Sequence, residues 1–130
     1  MRTIGINTNV LLTYRLKRQP YFAKALSIFE ECLEGKIKIY LPEVVIFETE
    51  WVLRSFYKQI KEQIIAFFEE LLLVDNLVLD NKDELRLSLN FYKNNPISLT
   101  DSVILQKIRD HDHDLLTFDQ KLEKLYHSLL

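Results

Sequence analysis

The sequence predicts an α/β protein, a Rossmann-like three-layer α/β/α sandwich around a short, mainly parallel sheet of four to five strands. Three observations predict it. Short runs of β-formers alternate along the chain with longer segments of helical periodicity. Apolar residues make up 48% of the 130, with only two Gly and three Pro, so the core is sizeable and loops are few. Polar residues that break the apolar pattern fall just after strands, where the ligand sites of parallel α/β sheets lie.

The elements follow in order. Arg2 to Ile6 reads as a short buried strand, and from Asn9 the spacing of Val10, Leu11, Tyr14 and Leu16 predicts a helix. After Pro20, Tyr21 to Glu34 carries Phe22, Ala25, Leu26, Phe29 and Leu33 at helical spacing, and Gly35 closes it as a C-terminal cap. Lys36 to Leu41 alternates as a second strand. Pro42 precedes a third helix, Glu43 to about Tyr57, with an acid in its first turn. Lys61 to Leu73 is a strongly apolar fourth helix, Leu77 to Leu79 a brief strand, and Lys82 to about Asn94 a fifth helix stopped by Asn94-Asn95-Pro96. Ser98-Leu99-Thr100-Asp101 is a helix-start signal, with Ser98 as N-cap, for a helix reaching roughly Arg109. Leu115 to Thr117 reads as a last strand before a helix from Asp119 to Leu125.

No linker or repeat interrupts this series, so a single domain over residues 1–130 is expected. The net charge is −2 and the pI about 5.9, which excludes coating nucleic acid through bulk positive charge. The single Cys32 cannot form an internal disulfide, and no apolar run is long enough to span a membrane. A cytoplasmic location is expected.

Three acids and one asparagine stand out. Glu48 recurs with Val45, Trp51, Val52 and Ser55 at three- and four-residue spacing, which places it on an inward stripe and leaves Glu50 on the opposite, solvated side. Asp101 shares a face with Ile104, Leu105 and Ile108, and is likewise expected to point inward. Buried carboxylates need compensating partners, so the plain alternative is a buried ion pair for Glu48 and helix capping for Asp101. Asp119 follows the last strand and Asn7 the first, and capping is the plain alternative for Asp119.

The stretches IGINTNVLLTY, YLPEVVIFETEWVLRS, SLTDSVILQKI and LLTFDQKL, in this order, resemble the PIN-domain ribonucleases, specifically the VapC-type toxins of toxin–antitoxin pairs. The resemblance implies a PIN-like sandwich and a site of four acids, of which Glu48, Asp101 and Asp119 match three. Asn7 stands where the family has its first Asp. Thr8 and Asn9 complete the family's triplet, the Thr8 hydroxyl to meet a carboxylate and Asn9 to cap the following helix. Ser98 and Thr117 are secondary polar candidates, with capping the plainer role for each.

What the resemblance implies is an endoribonuclease dependent on Mg²⁺ or Mn²⁺, held by Asn7, Glu48, Asp101 and Asp119. Oxygen ligands without His or Cys suit such hard ions, and a pair of them would activate water and stabilise the leaving oxygen. Around the cleft, Arg15, Lys17, Arg18, Arg54 and Lys58 are candidate RNA contacts, although solvated helix faces explain each equally well. The partners implied are an RNA substrate, a VapB-like antitoxin lying along a hydrophobic groove, and a second copy in a homodimer. The run Asp110-His111-Asp112-His113-Asp114 looks like a metal cluster, but it lies at a helix end where Asp and His serve a turn.

An amide at position 7 keeps one ligating oxygen and loses a charge, so the expectation is weak RNA cleavage or none. Either an introduced change that disarms a toxin or a naturally weakened member gives this state. The competing reading is a non-catalytic PIN fold that holds RNA or protein. A phosphoacceptor receiver domain fits less well, because it needs an Asp at the end of a central strand and an active-site Lys after a later one, and neither is found.

Overall fold

A computed structural model describes residues 1–129 and builds them as two compact units, one of residues 1–82 and one from Asp83 onward. The first contains β1 (Arg2–Gly5), α1 (Thr8–Leu16), α2 (Phe22–Leu33), β2 (Ile37–Leu41), α3 (Glu43–Ser55), α4 (Lys61–Leu72) and β3 (Leu77–Leu79). The second contains α5, which begins at the boundary (Lys82–Asn94), then α6 (Leu99–Asp110) and α7 (Gln120–Ser128).

The sheet is parallel, in the order β1-β2-β3, with Ile4 opposite Ile39 and Ile39 opposite Leu77. The α/β class, the parallel sense and the flanking helices are those the sequence predicts. The strand count is three among the described residues, below the four to five expected. Leu115 to Thr117 forms no strand. A central strand of a parallel sheet is buried on both sides, whereas Leu116 is 85% and Phe118 96% exposed, and only Leu115 turns toward a core. The first strand also differs from expectation. As an edge it pairs with β2 alone, and Arg2, Thr3 and Gly5 are exposed while Ile6, just beyond it, is buried.

Alternation in β2 buries Ile37, Ile39 and Leu41 together with Leu11 of α1, Phe29 of α2, Ile46 and Leu53 of α3 and Phe68 of α4. Gly35 supplies the left-handed turn (φ 79°) that ends α2, and the Lys36 N–H returns to the Glu31 carbonyl at 2.9 Å. In the second unit, Leu105, Leu122 and Tyr126 form a core lined by Phe91, Ile97, Ile108, Leu115 and Leu125. The Tyr126 hydroxyl donates to the His113 carbonyl at 2.5 Å, tying α7 to the segment before it. Among the described residues, no helix is long and apolar enough to cross a membrane.

Candidate active site

The chain leaves β1 at Gly5 and enters α1 at Thr8, which places Asn7 at the carboxyl end of the sheet. Asn7 is the N-cap of α1. Its backbone is extended, and its Oδ1 accepts from the Val10 N–H at 3.2 Å. Asn9, expected as the cap, instead lies inside the first turn, where its Oδ1 accepts from Arg18 at 2.6 Å. The difference is one of register: the cap lies two residues earlier than expected, on the first asparagine, because the helix already begins at Thr8.

Glu48 is exposed and borders the same space. Asn7, Thr8, Asn9, Val44, Val45 and Glu48 line an open cleft of about 360 Å³. Glu48 is not on the inward stripe. The buried face of α3 is Val45, Ile46, Thr49, Glu50 and Leu53, and Glu50 is the acid carried into the interior. Apolar residues occur all round this helix, so periodicity permits more than one inward face. The ion pair weighed for Glu48 is made instead by Glu50, whose buried carboxylate accepts from the half-exposed Arg54, Nε at 2.8 Å and Nη2 at 3.4 Å.

In the second unit Asp101 is half-buried in the first turn of α6, and its N–H donates to Ser98 Oγ at 3.0 Å. Ser98 is the predicted N-cap. Asp119 is exposed and caps α7, with Oδ1 accepting from the Lys121 N–H at 3.0 Å and the Leu122 N–H at 3.2 Å. Thr117 Oγ1 in turn accepts from the Asp119 N–H at 3.1 Å. The predicted site residues thus fall into three local groups: Asn7, Thr8 and Glu48 in one cleft, Ser98 with Asp101, and Thr117 with Asp119.

Several candidate RNA contacts have structural roles in the first unit. Arg15 donates to Gln59 Oε1 and the Gln63 carbonyl, both at 3.4 Å, and lies 4.9 Å above the Phe67 ring. Arg18 holds Asn9 and Thr13, and Arg54 holds Glu50. Lys17 and Lys58 are exposed residues in left-handed conformation, at φ 55° and 53°. In the His-Asp run, Gln106 donates to Asp110 at 2.9 Å and Asp112 takes a φ of 56°, as a turn requires.

One acid at a strand end went unread in the sequence. Asp80 follows β3, accepts from the Tyr40 hydroxyl at 2.6 Å, and accepts from the Glu43 N–H at 2.8 Å. Pro42, as N-cap of α3, has no side-chain cap bond of its own, so Asp80 serves that helix start from another strand. The hydrogen bond to Asp80, then burial and the negative charge of Asp80 and Glu43, raise the Tyr40 hydroxyl above its ordinary range. The strand-end reasoning applied to Asn7 and Asp119 would have found Asp80 too.

The donors around the first cleft are amide, hydroxyl and carboxylate oxygens, a set that suits a hard divalent cation rather than a soft one. Its charge is low, since Glu48 is the single carboxylate of the cleft among the described residues. Among the described residues, no three His, Cys, Asp or Glu side chains form a group able to hold a metal ion.

Together, the parallel sheet and the oxygen-lined cleft beyond its carboxyl ends define an α/β protein of the kind that binds at strand ends. The chain belongs to the PIN domain family, whose sequence model matches residues 5–128. PIN domains are commonly metal-dependent nucleases, many of them acting on RNA. No curated protein matches the chain.

Proposed function

We propose that this chain is a VapC-like toxin, a Mg²⁺- or Mn²⁺-dependent endoribonuclease weakened or silenced by Asn7. The observation that carries the reading is the cleft beyond β1 that Asn7 and Glu48 both line, since the family resemblance puts a catalytic acid at each position. Glu48 is exposed in the cleft that Thr8 also lines. Asn7 offers one oxygen, already shared with the Val10 N–H, and no charge. Asp101 and Asp119 complete the acidic set in this proposal.

A divalent ion, when bound, supplies charge to the scissile phosphate and lowers the cost of generating hydroxide from water. The chain's own residues hold and orient. Glu48 would hold the cation, and Val44 and Val45 border the same open cleft. The partners proposed are an RNA substrate, a VapB-like antitoxin and a second copy. An apolar pocket of about 210 Å³ between α1 and α2, lined by Val10, Tyr21, Ala25 and Ile28 among others, supports a hydrophobic antitoxin segment.

The test is Asn7→Asp assayed on total RNA with Mg²⁺ or Mn²⁺. We expect cleavage to rise at least about tenfold over the unchanged chain, the equivalent of some 1.4 kcal/mol in the barrier, and the new ends to be 5′-phosphates and 3′-hydroxyls. Unchanged activity would show that position 7 is not catalytic. One observation favours a second reading, a non-catalytic binding module: among the described residues the cleft has one carboxylate. If neither the unchanged chain nor the Asn7→Asp variant binds Mn²⁺ in a titration, the module reading replaces the nuclease.

A further inference from the structure

Residues 1–29 contain five basic side chains and no acid, in a chain whose net charge is −2. The first carboxylate of the sequence is Glu30, in the last turn of α2. Two of those five cations, Arg18 and Lys24, flank the pocket of about 210 Å³ between α1 and α2. Val10, Ala25 and Ile28 give that pocket its apolar walls, and Asn9 and Thr13 give it a polar rim. Among the described residues that line it, Lys24 is the single charged one.

Arg18 is held at that rim without being neutralised. Its Nη2 donates to Asn9 Oδ1 at 2.6 Å, to Thr13 Oγ1 at 3.1 Å and to the Asn9 carbonyl at 3.2 Å, all uncharged acceptors. These bonds come from one nitrogen, so Nη1 and Nε keep N–H donors with no partner among the described residues. Lys24, exposed on α2, has no hydrogen bond or ion pair among them either. Arg54 and Lys107, by contrast, each meet a glutamate. A purely apolar ligand would leave both pocket cations unanswered, and a phosphodiester strand would set charge against the apolar walls. An apolar body ending in a planar anion satisfies both, because a guanidinium matches a carboxylate with two parallel donors.

We infer that the α1–α2 pocket is a binding site for a small apolar carboxylate, a free acid whose aliphatic or aryl body has about eight carbons, since a cavity of about 150 Å³ already holds benzene. The body lies against Val10, Ala25 and Ile28, and the carboxylate meets Arg18 and Lys24. The inference does not rest on the ribonuclease reading. It goes beyond the apolar fit offered there to an antitoxin segment, because it requires negative charge and takes a free small molecule as the occupant.

The experiment titrates the unchanged full chain with octanoate, octanol and octylamine, without RNA or metal, and follows methyl resonances by NMR. Octanoate should bind saturably and shift the methyls of Val10, Ala25 and Ile28. Octanol, with the same body and no charge, should bind about tenfold more weakly, the effect expected for losing a charge-assisted pair of hydrogen bonds. Octylamine should bind no better than octanol. Arg18→Gln should weaken octanoate about tenfold and leave octanol unchanged. Lys24→Glu should weaken octanoate about fivefold and favour octylamine over it, the smaller factor reflecting an exposed charge. Lys24 is exposed and has no bond to lose among the described residues, so this variant decides the matter even if Arg18→Gln melts early.

Equal binding of octanoate and octanol overturns the inference, as does octanoate binding that neither Lys24→Glu nor Arg18→Gln weakens. Shifts confined to methyls outside the pocket overturn it too. Displacement of octanoate by an equal or lower concentration of oligoadenylate also overturns it, because nucleic acid is then the anion that Arg18 and Lys24 take. The two readings fail separately. A pocket indifferent to octanoate leaves the outcome of the Asn7→Asp cleavage assay open to support the nuclease, and an inert Asn7→Asp variant leaves the carboxylate site standing.

Discussion

Glu50 carries a negative charge to the interior of the first unit, with a side chain only 5% exposed, and Arg54 one turn later meets it with two donors. Removing one partner of such a pair leaves a desolvated charge, which is costly. Arg54 is half-exposed and Glu50 has further interactions, so the loss is smaller than for a fully buried pair. Arg54→Ala is expected to destabilise by about 1–2 kcal/mol in urea unfolding. Glu48→Gln, on the exposed stripe, should stay within about 0.5 kcal/mol. The reverse ranking would restore the inward face that periodicity first indicates for Glu48. The pair of measurements therefore separates the acid that builds the helix packing from the acid available for chemistry.

Helix starts dominate the candidate site at the level of elements. Asn7, Ser98 and Asp119 are all N-caps, which is where Asn, Ser and Asp are favoured irrespective of function. Capping and metal binding make different demands on the same side chain, since a cap needs an acceptor oxygen and a cation site needs charge. Asp119→Asn should keep α7 capped and leave stability nearly unchanged, whereas Asp119→Ala should cost about 1 kcal/mol. In the Asn7→Asp background both should abolish cleavage if Asp119 belongs to the acidic set. A capping-only Asp119 would leave the Asn variant fully active. Asn7→Asp itself retains the acceptor for the Val10 N–H, so its gain in activity should come without a change in melting temperature.

Stability against alkali belongs to the whole folded molecule. Tyr14 stacks on Phe29 at 3.9 Å and 11°, and burial, followed by the charges of Glu70 and Glu30, raises its hydroxyl above the ordinary tyrosine range. With the folded value above the unfolded one of about 10, the folded state holds its proton longer. This contribution to stability is fully present below about pH 10 and is lost as pH rises through the folded value. Tyr14→Phe keeps the stacked ring and should flatten that loss, read as the urea midpoint at pH 8 against pH 11. An identical alkaline decline in both proteins would place the cause elsewhere.

The α/β class, the boundaries of β3 and α5, the Ser98 cap and the Gly35 turn were legible in the sequence, because each depends on neighbours within one turn or strand. Local spacing determines which residues form a helix and where it starts. It does not determine which side of α3 faces inward when apolar residues surround the helix, and the tertiary structure decided that in favour of Glu50. Nor does it reveal Asp80 serving the start of α3 from the end of β3, a pairing of residues 37 positions apart. Leu115 to Thr117 has strand-like composition, yet a strand is made by a neighbour's hydrogen bonds, and the fold places Leu116 in solvent instead. The sequence by itself determined the family and the chemistry available at Asn7, since residue types and their order are one-dimensional facts. Only the tertiary structure decided that Asn7 and Glu48 share a cleft, because that depends on how packing rotates α3.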